Sequence, residues 1–173
     1  GVWSFDGWTL VRFGGSWPAA IFAGQWWRLG TCIFLHAGIW HIGFNVYALA
    51  QIGPGIEQLF GRARTLWLFM VTGVAASTAS LVFLDGVGIG ASGAIMGLIG
   101  LAAGWGHRDA TTVGRGVRNR MVKWALYVLV FGFFIGADNV AHLAGFVSGG
   151  MIGFVIPAGP QHARRPSRFA PVH

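Results

Sequence analysis

The sequence predicts an all-α polytopic membrane protein, and three observations carry that reading. The 173 residues are 54% hydrophobic and only 10% charged, with a mean hydropathy of +0.61. Soluble domains carry about 25% charged residues. Five stretches are apolar and close to the ~20 residues that a helix needs to cross a bilayer. Ten of the twelve basic residues fall in alternate links between those stretches. Helices are expected throughout, because isolated strands would leave backbone groups unpaired in lipid.

Residues 1–36 carry tryptophans at 3, 8, 17, 26 and 27, with Asp6, Arg12, Pro18 and Arg28 between them. Nothing there is long and apolar enough to cross. Tryptophan suits the membrane–water boundary, so the segment reads as an extracytoplasmic interfacial loop with short helical pieces. The spans follow at about 39–56, 65–84, 87–106, 121–137 and 139–157. The third is free of charged side chains over its 20 residues. In the fourth, Lys123 lies near enough to the end to snorkel. From 161 to 173 the chain reads as a basic cytoplasmic tail, whose Arg164, Arg165 and Arg168 would attract anionic lipid head groups.

Five spans put successive links on alternate sides. One side receives Arg62, Arg64, Arg108, Arg115, Arg118, Arg120, Lys123, Arg164, Arg165 and Arg168; the other receives only Arg12 and Arg28. The positive-inside rule makes the first side cytoplasmic. The net charge of +7 is therefore read as orienting the protein, and no nucleic-acid partner is expected. His41, Ser92 and His142 all fall in the outer part of their spans. A first loop on the outside calls for a cleaved leader or a preceding span, and the second option predicts a sixth helix ahead of residue 1. The single cysteine, Cys32, excludes an internal disulfide.

Polar groups inside membrane spans are costly and suggest a functional site. Ser92 sits among small neighbours in Gly90-Ala91-Ser92-Gly93. Its hydroxyl is a weak nucleophile at neutral pH and needs a base; His142 is suited to that proton transfer. An attacked carbonyl becomes an oxyanion and needs fixed donors. His41 and Asn45 are one helical turn apart on one face, and both can donate. The Ser92 N–H, at a helix start, is a further donor. Gly93, Gly97, Gly100 and Gly104 line one side of the third span, and Gly145, Gly149 and Gly153 repeat along the fifth. That spacing lets membrane helices touch backbone to backbone, so the third and fifth spans should pack closely and bring Ser92 to His142. His36 and His41 have no Cys or carboxylate to complete a ligand set, so no metal or other cofactor is expected.

These residues resemble the rhomboid intramembrane serine proteases. The matching motifs are Trp26-Trp27-Arg28, the run from His36 through Trp40-His41 to Asn45, Gly53-Pro54-Gly55-Ile56-Glu57, Gly90-Ala91-Ser92-Gly93 with Met96-Gly97, and Ala141-His142 with Gly145 and Gly149. Each alone is a weak signal; together, in this order over residues 20 to 157, they are specific. The resemblance implies a rhomboid-like bundle with five spans of a six-helix core, and a membrane domain over 37–160. It also implies a Ser92–His142 dyad, with His41, Asn45 and the Ser92 N–H as oxyanion hole. The implied activity is cleavage, through an acyl-enzyme, of membrane proteins bearing a transmembrane helix, and the implied location is a bacterial inner membrane. Two positions depart from the pattern. Met96 stands where members often have an aromatic packed on the histidine, and Cys32 where some have another histidine.

Structural roles are assigned to Trp27 and Arg28 as loop anchors, to His36 as a pin for the outer loop, and to Glu57 as a cap or a partner of Arg62 or Arg64. Asp138 and Asn139 read as helix N-cap types, with Asp138 a less favoured third triad member. Phe131, Phe133 and Phe134 read as facing lipid. The rival readings are a relative that binds membrane clients without cutting them, and a small transporter subunit.

Overall fold

The chain folds as helices around one buried central helix, in a computed structural model that describes residues 4–83, 85–109 and 111–159. The basic tail expected over 161–173 lies outside the described residues. The opening segment contains three short helices, α1 (Gly7–Arg12), α2 (Pro18–Phe22) and α3 (Arg28–Thr31), then a 3₁₀ turn over Cys32–Phe34. Each piece has a local cause. Asp6 caps α1 by accepting from the Thr9 N–H at 2.9 Å and the Thr9 hydroxyl at 2.7 Å. Pro18 opens α2, where its missing N–H costs nothing. The buried Arg28 donates to the carbonyls of Val11 and Gly15 and to the Gln25 side chain, with its guanidinium 4.7 Å from the Trp27 ring centroid. One fork thus ties α1 to α3.

Five long helices follow: α4 (Ile39–Phe60), α5 (Arg62–Phe83), α6 (Ser92–Asp109), α7 (Thr112–Ile135) and α8 (Asn139–Val155). They match the five expected stretches, with three shifts of boundary. α4 runs one turn further, past Glu57, and ends at Gly61, whose φ of +85° suits glycine. The Glu57 carbonyl accepts the Gly61 N–H at 2.8 Å, so Glu57 closes the helix through its backbone while its side chain stays exposed. α6 begins only at Ser92, because 87–91 runs extended and pairs elsewhere. α7 starts nine residues earlier than the apolar stretch, capped by Thr111, whose hydroxyl accepts from Gly114 N. Its basic first half is helical but too polar to register as a span.

α6 is buried almost throughout, packed chiefly against α8 and α7. The surrounding helices turn large apolar side chains outward: Trp40, Trp67, Phe133, Phe134, Val147 and Val155 are all exposed. Water would penalise that surface, whereas lipid would not. Among the described residues, α5 alone is long and apolar enough to cross a membrane by itself, and α8 is a shorter apolar helix. The others are diluted by polar groups, such as Gln51 and Glu57 in α4 and Arg115 to Lys123 in α7.

The contact between α6 and α8 is made of glycine. A Cβ added at Gly145, Gly149 or Gly153 would run into the backbone carbonyls of Gly93, Gly97 and Leu101. One added at Gly100 or Gly104 would run into those of Phe146 and Gly150. The four α6 glycines do not share one face, however. Gly93 and Gly97 turn their Cα hydrogens towards Ala76 and Thr72 of α5, so the same helix is pinched from two sides. α6 and α8 run in the same direction, since Arg108 near the end of α6 donates to the carbonyls of Phe154, Val155 and Ile156.

Candidate active site

Ser92 and His142 are separated by fifty residues and meet at one end of the bundle. His142 Nε2 lies 2.8 Å from Ser92 Oγ. Two features produce this. The glycine seam holds the first turns of α6 and α8 at backbone contact. The extended 87–91 stretch is stapled to the opening segment, by paired bonds between Ser16 and Gly88 (2.9 and 2.8 Å) and by Gly90 N–H to the Cys32 carbonyl (2.9 Å). Gly90 has φ +109°, and a Cβ there would sit 2.7 Å from His41 Nε2. Only glycine admits both that backbone and that neighbour.

His41 is thus brought beside the Ser92 turn from α4. Its Nδ1 accepts the Ala37 N–H at 3.3 Å, which leaves the ring proton on Nε2, the nitrogen facing Gly90. Asn45, buried one turn further on, donates one amide proton to the His41 carbonyl at 2.9 Å and has a second to offer. The first bond of the α6 ladder runs from Ile95 N–H to the Ala91 carbonyl. The N–H groups of Ser92, Gly93 and Ala94 precede it. A cavity of about 450 Å³ joins Ser92, His142, His41 and Asn45 to the apolar side chains of α4 and α7. Met96 lies in its floor, fully buried. On the rim, Phe44 of α4 meets Phe131 of α7 edge to face, with ring centroids 5.6 Å apart. Phe133 and Phe134 point outward.

Of the other residues expected to matter, Gly93, Gly97, Gly145 and Gly149 lie in the seam, and Trp27 stays mostly exposed above Arg28. His36 sits edge-on to His41, centroids 5.0 Å apart, with its Nε2 buried and unpartnered. Burial lowers its pKa. Asp138 does not reach the His142 ring. It caps α8 by accepting from Ala141 N at 2.8 Å and takes a second, short bond from the Ser80 hydroxyl. The side chain on His142 Nδ1 is instead Asn139, with Oδ1 at 3.0 Å. Sequence reasoning treated Asn139 only as a capping type. The available signal was its spacing of three from His142, which puts both on one helix face.

Behind Ser92 is a small polar recess of about 30 Å³, with Ser16, Cys32, Ser77, Ser80 and Asp138 in its walls. Among the described residues no three His, Cys, Asp or Glu side chains group as metal ligands.

A family model described as the Rhomboid domain matches residues 23–158. The chain is 36% identical over 142 residues to "Rhomboid protease GluP" of Bacillus subtilis (strain 168), covering 82% of this chain and 28% of that protein. It is 34% identical over 166 residues to "RHOMBOID-like protein 7" of Arabidopsis thaliana, covering 88% and 50%. With "Rhomboid protease AarA" of Providencia stuartii the identity is 30% over 173 residues, covering 83% and 60%. The chain therefore spans less than two thirds of each of these relatives.

Proposed function

The chain belongs to the rhomboid family of integral membrane proteins, and we propose from that premise that it is an intramembrane serine endopeptidase working through a Ser92–His142 dyad. The observation that carries the reading is the 2.8 Å contact between Ser92 Oγ and His142 Nε2, at the wall of a cavity open towards the apolar side chains of α4 and α7. The five long helices, of 17 to 24 residues at 1.5 Å per residue, are about 25 to 36 Å long and serve as the spans, α7 through its apolar second half. That range suits a hydrocarbon core of about 30 Å. The segment 1–36 lies outside, and the Arg108 end of α6 and the basic first half of α7 lie inside, in a bacterial inner membrane.

His142 Nε2 takes the proton as Ser92 Oγ attacks a peptide carbonyl in or beside a substrate's membrane helix. The Ser92 N–H, His41 Nε2–H and the free Asn45 amide proton converge on the carbonyl oxygen as it gains charge. His142 then gives its proton to the leaving amine, which departs as the tetrahedral intermediate collapses to an ester on Ser92. Water, activated by the same histidine, cleaves the ester. The recess lined by Ser16, Ser77, Ser80 and Asp138 supports a route for that water, since its walls are polar and it is roomy enough to hold water. Substrate helices must unwind locally, because a helical carbonyl is already hydrogen-bonded. The gap between α4 and α7, bridged by Phe44 and Phe131, is the side from which such a segment would arrive.

The test is a fluorophosphonate probe together with a reporter carrying one membrane helix, applied to the whole protein in liposomes. Wild type should label and cut, Ser92→Ala should do neither, and His142→Ala should fall by orders of magnitude. A well-folded wild type that neither labels nor cuts would sink the reading and favour client binding.

A further inference from the structure

We infer that Asn139 is a positioning residue that sets the tautomer of His142, with Leu129 of α7 in turn fixing the orientation of the Asn139 amide. The inference rests on the reading of His142 as the base. An Asn side chain can face a neighbour with its oxygen or its NH2, and the two choices have opposite chemical meaning. Here the choice is forced from the far side. Asn139 Nδ2 lies 3.0 Å from the backbone carbonyl of Leu129. A carbonyl only accepts, so the NH2 must point at Leu129 and Oδ1 must point at His142. Oδ1 lies 3.0 Å from His142 Nδ1, and because it too only accepts, Nδ1 carries the proton. Nε2 is then the lone-pair nitrogen, and it is the one 2.8 Å from Ser92 Oγ. A base needs that lone pair there. With the proton on Nε2 the ring would donate to Oγ and could not take its proton.

α7 is shaped for this relay. A Cβ at Gly132 would lie 2.6 Å from Asn139 Oδ1 and 3.4 Å from His142 Nδ1. The missing side chain is the space in which the amide and the imidazole meet. Asp138, the nearest carboxylate in sequence, is committed to the α8 cap and to Ser80. The neutral amide is therefore the only described side chain hydrogen-bonded to Nδ1.

The experiment uses the whole protein in micelles with ¹⁵N-labelled histidine, and His142 assigned by its absence in His142→Gln. Wild-type His142 should carry its proton on Nδ1. In Asn139→Leu the two tautomers should mix, and kcat should fall about tenfold or more with KM nearly unchanged, as a misaligned base forfeits part of its contribution. Asn139→Asp keeps an acceptor at Nδ1 but sets its second oxygen against the Leu129 carbonyl, so it should hold the proton on Nδ1 while recovering only part of the lost kcat. A purely structural Asn139 would not move the tautomer. A wild-type proton on Nε2, or a folded Asn139→Leu with wild-type kcat, overturns the inference. Should Asn139→Leu not fold, the wild-type tautomer and Asn139→Asp still decide. A wild type with its proton on Nδ1 that never cuts or labels overturns the protease reading alone.

Discussion

Gly145 of α8 rests directly on the carbonyl of Gly93 in α6. Gly93 follows Ser92, and Gly145 lies three residues after His142 on the same face, so this backbone contact sets the distance between the two side chains. Gly145→Ala would place a methyl group inside that contact. Overpacking of this kind costs about 1 to 3 kcal/mol. We expect a lower melting temperature and a fall in kcat larger than that caused by Gly153→Ala, which strains the same seam far from Ser92. Equal kcat losses in the two variants would argue against a positioning effect.

Gly90→Ala combines two penalties. A φ of +109° strains any residue with a Cβ, and that Cβ would press on His41 Nε2. Reporter cleavage should fall about tenfold or more while fluorophosphonate still reaches Ser92. Unchanged turnover would mean that His41 does not need its present place.

Removing an oxyanion donor commonly costs about 10²- to 10³-fold in kcat. His41→Ala and Asn45→Ala should each approach that loss with KM little altered. Asn45→Asp, isosteric but without a donor, should behave as Asn45→Ala does. Wild-type turnover in Asn45→Asp would remove Asn45 from the oxyanion hole.

Arg108 offers a control at the opposite end of the bundle. It donates to three carbonyls at the end of α8, at 2.7 to 3.0 Å in an exposed setting. Its loss should cost on the order of 1 kcal/mol. Arg108→Gln should lower the melting temperature and leave kcat at low temperature unaltered; a selective kcat loss would contradict a purely structural role.

His36 should make the outer loop acid-sensitive. Burial holds its pKa below the ordinary value near 6.5, so the folded loop prefers the neutral ring. That preference is fully present above pH 6.5 and is lost as protons bind more readily to the unfolded loop below it. Thermal stability should decline as pH falls below about 6.5, and His36→Phe should flatten the decline. An unchanged profile in His36→Phe would assign the acid sensitivity elsewhere.

Much of this was legible along the chain, because the signals are local or periodic. Hydropathy marks the five long helices, and the glycine repeats in 93–104 and 145–153 mark the closest helix pair. The candidate dyad stands out because serine and histidine are costly in apolar stretches and need a reason to be there. The boundaries were less legible. Residues 87–91 are as apolar as the helix they precede, but Gly88 and Gly90 bond to Ser16 and Cys32, which are distant in sequence. The basic first half of α7 is helical because helix propensity, unlike hydropathy, tolerates arginine.

Composition and spacing by themselves determined that this chain is helical, that it presents apolar surface outward, and which serine and histidine to watch. Those properties depend on residue type and on period. The tertiary structure alone decided that Asn139 rather than Asp138 meets the His142 ring, that α6 is pinched from two sides, and that Arg108 closes α8. Each of these depends on which side chain another helix leaves room for. Gly132 makes the room for Asn139, and only packing α7 against α8 brings the two together.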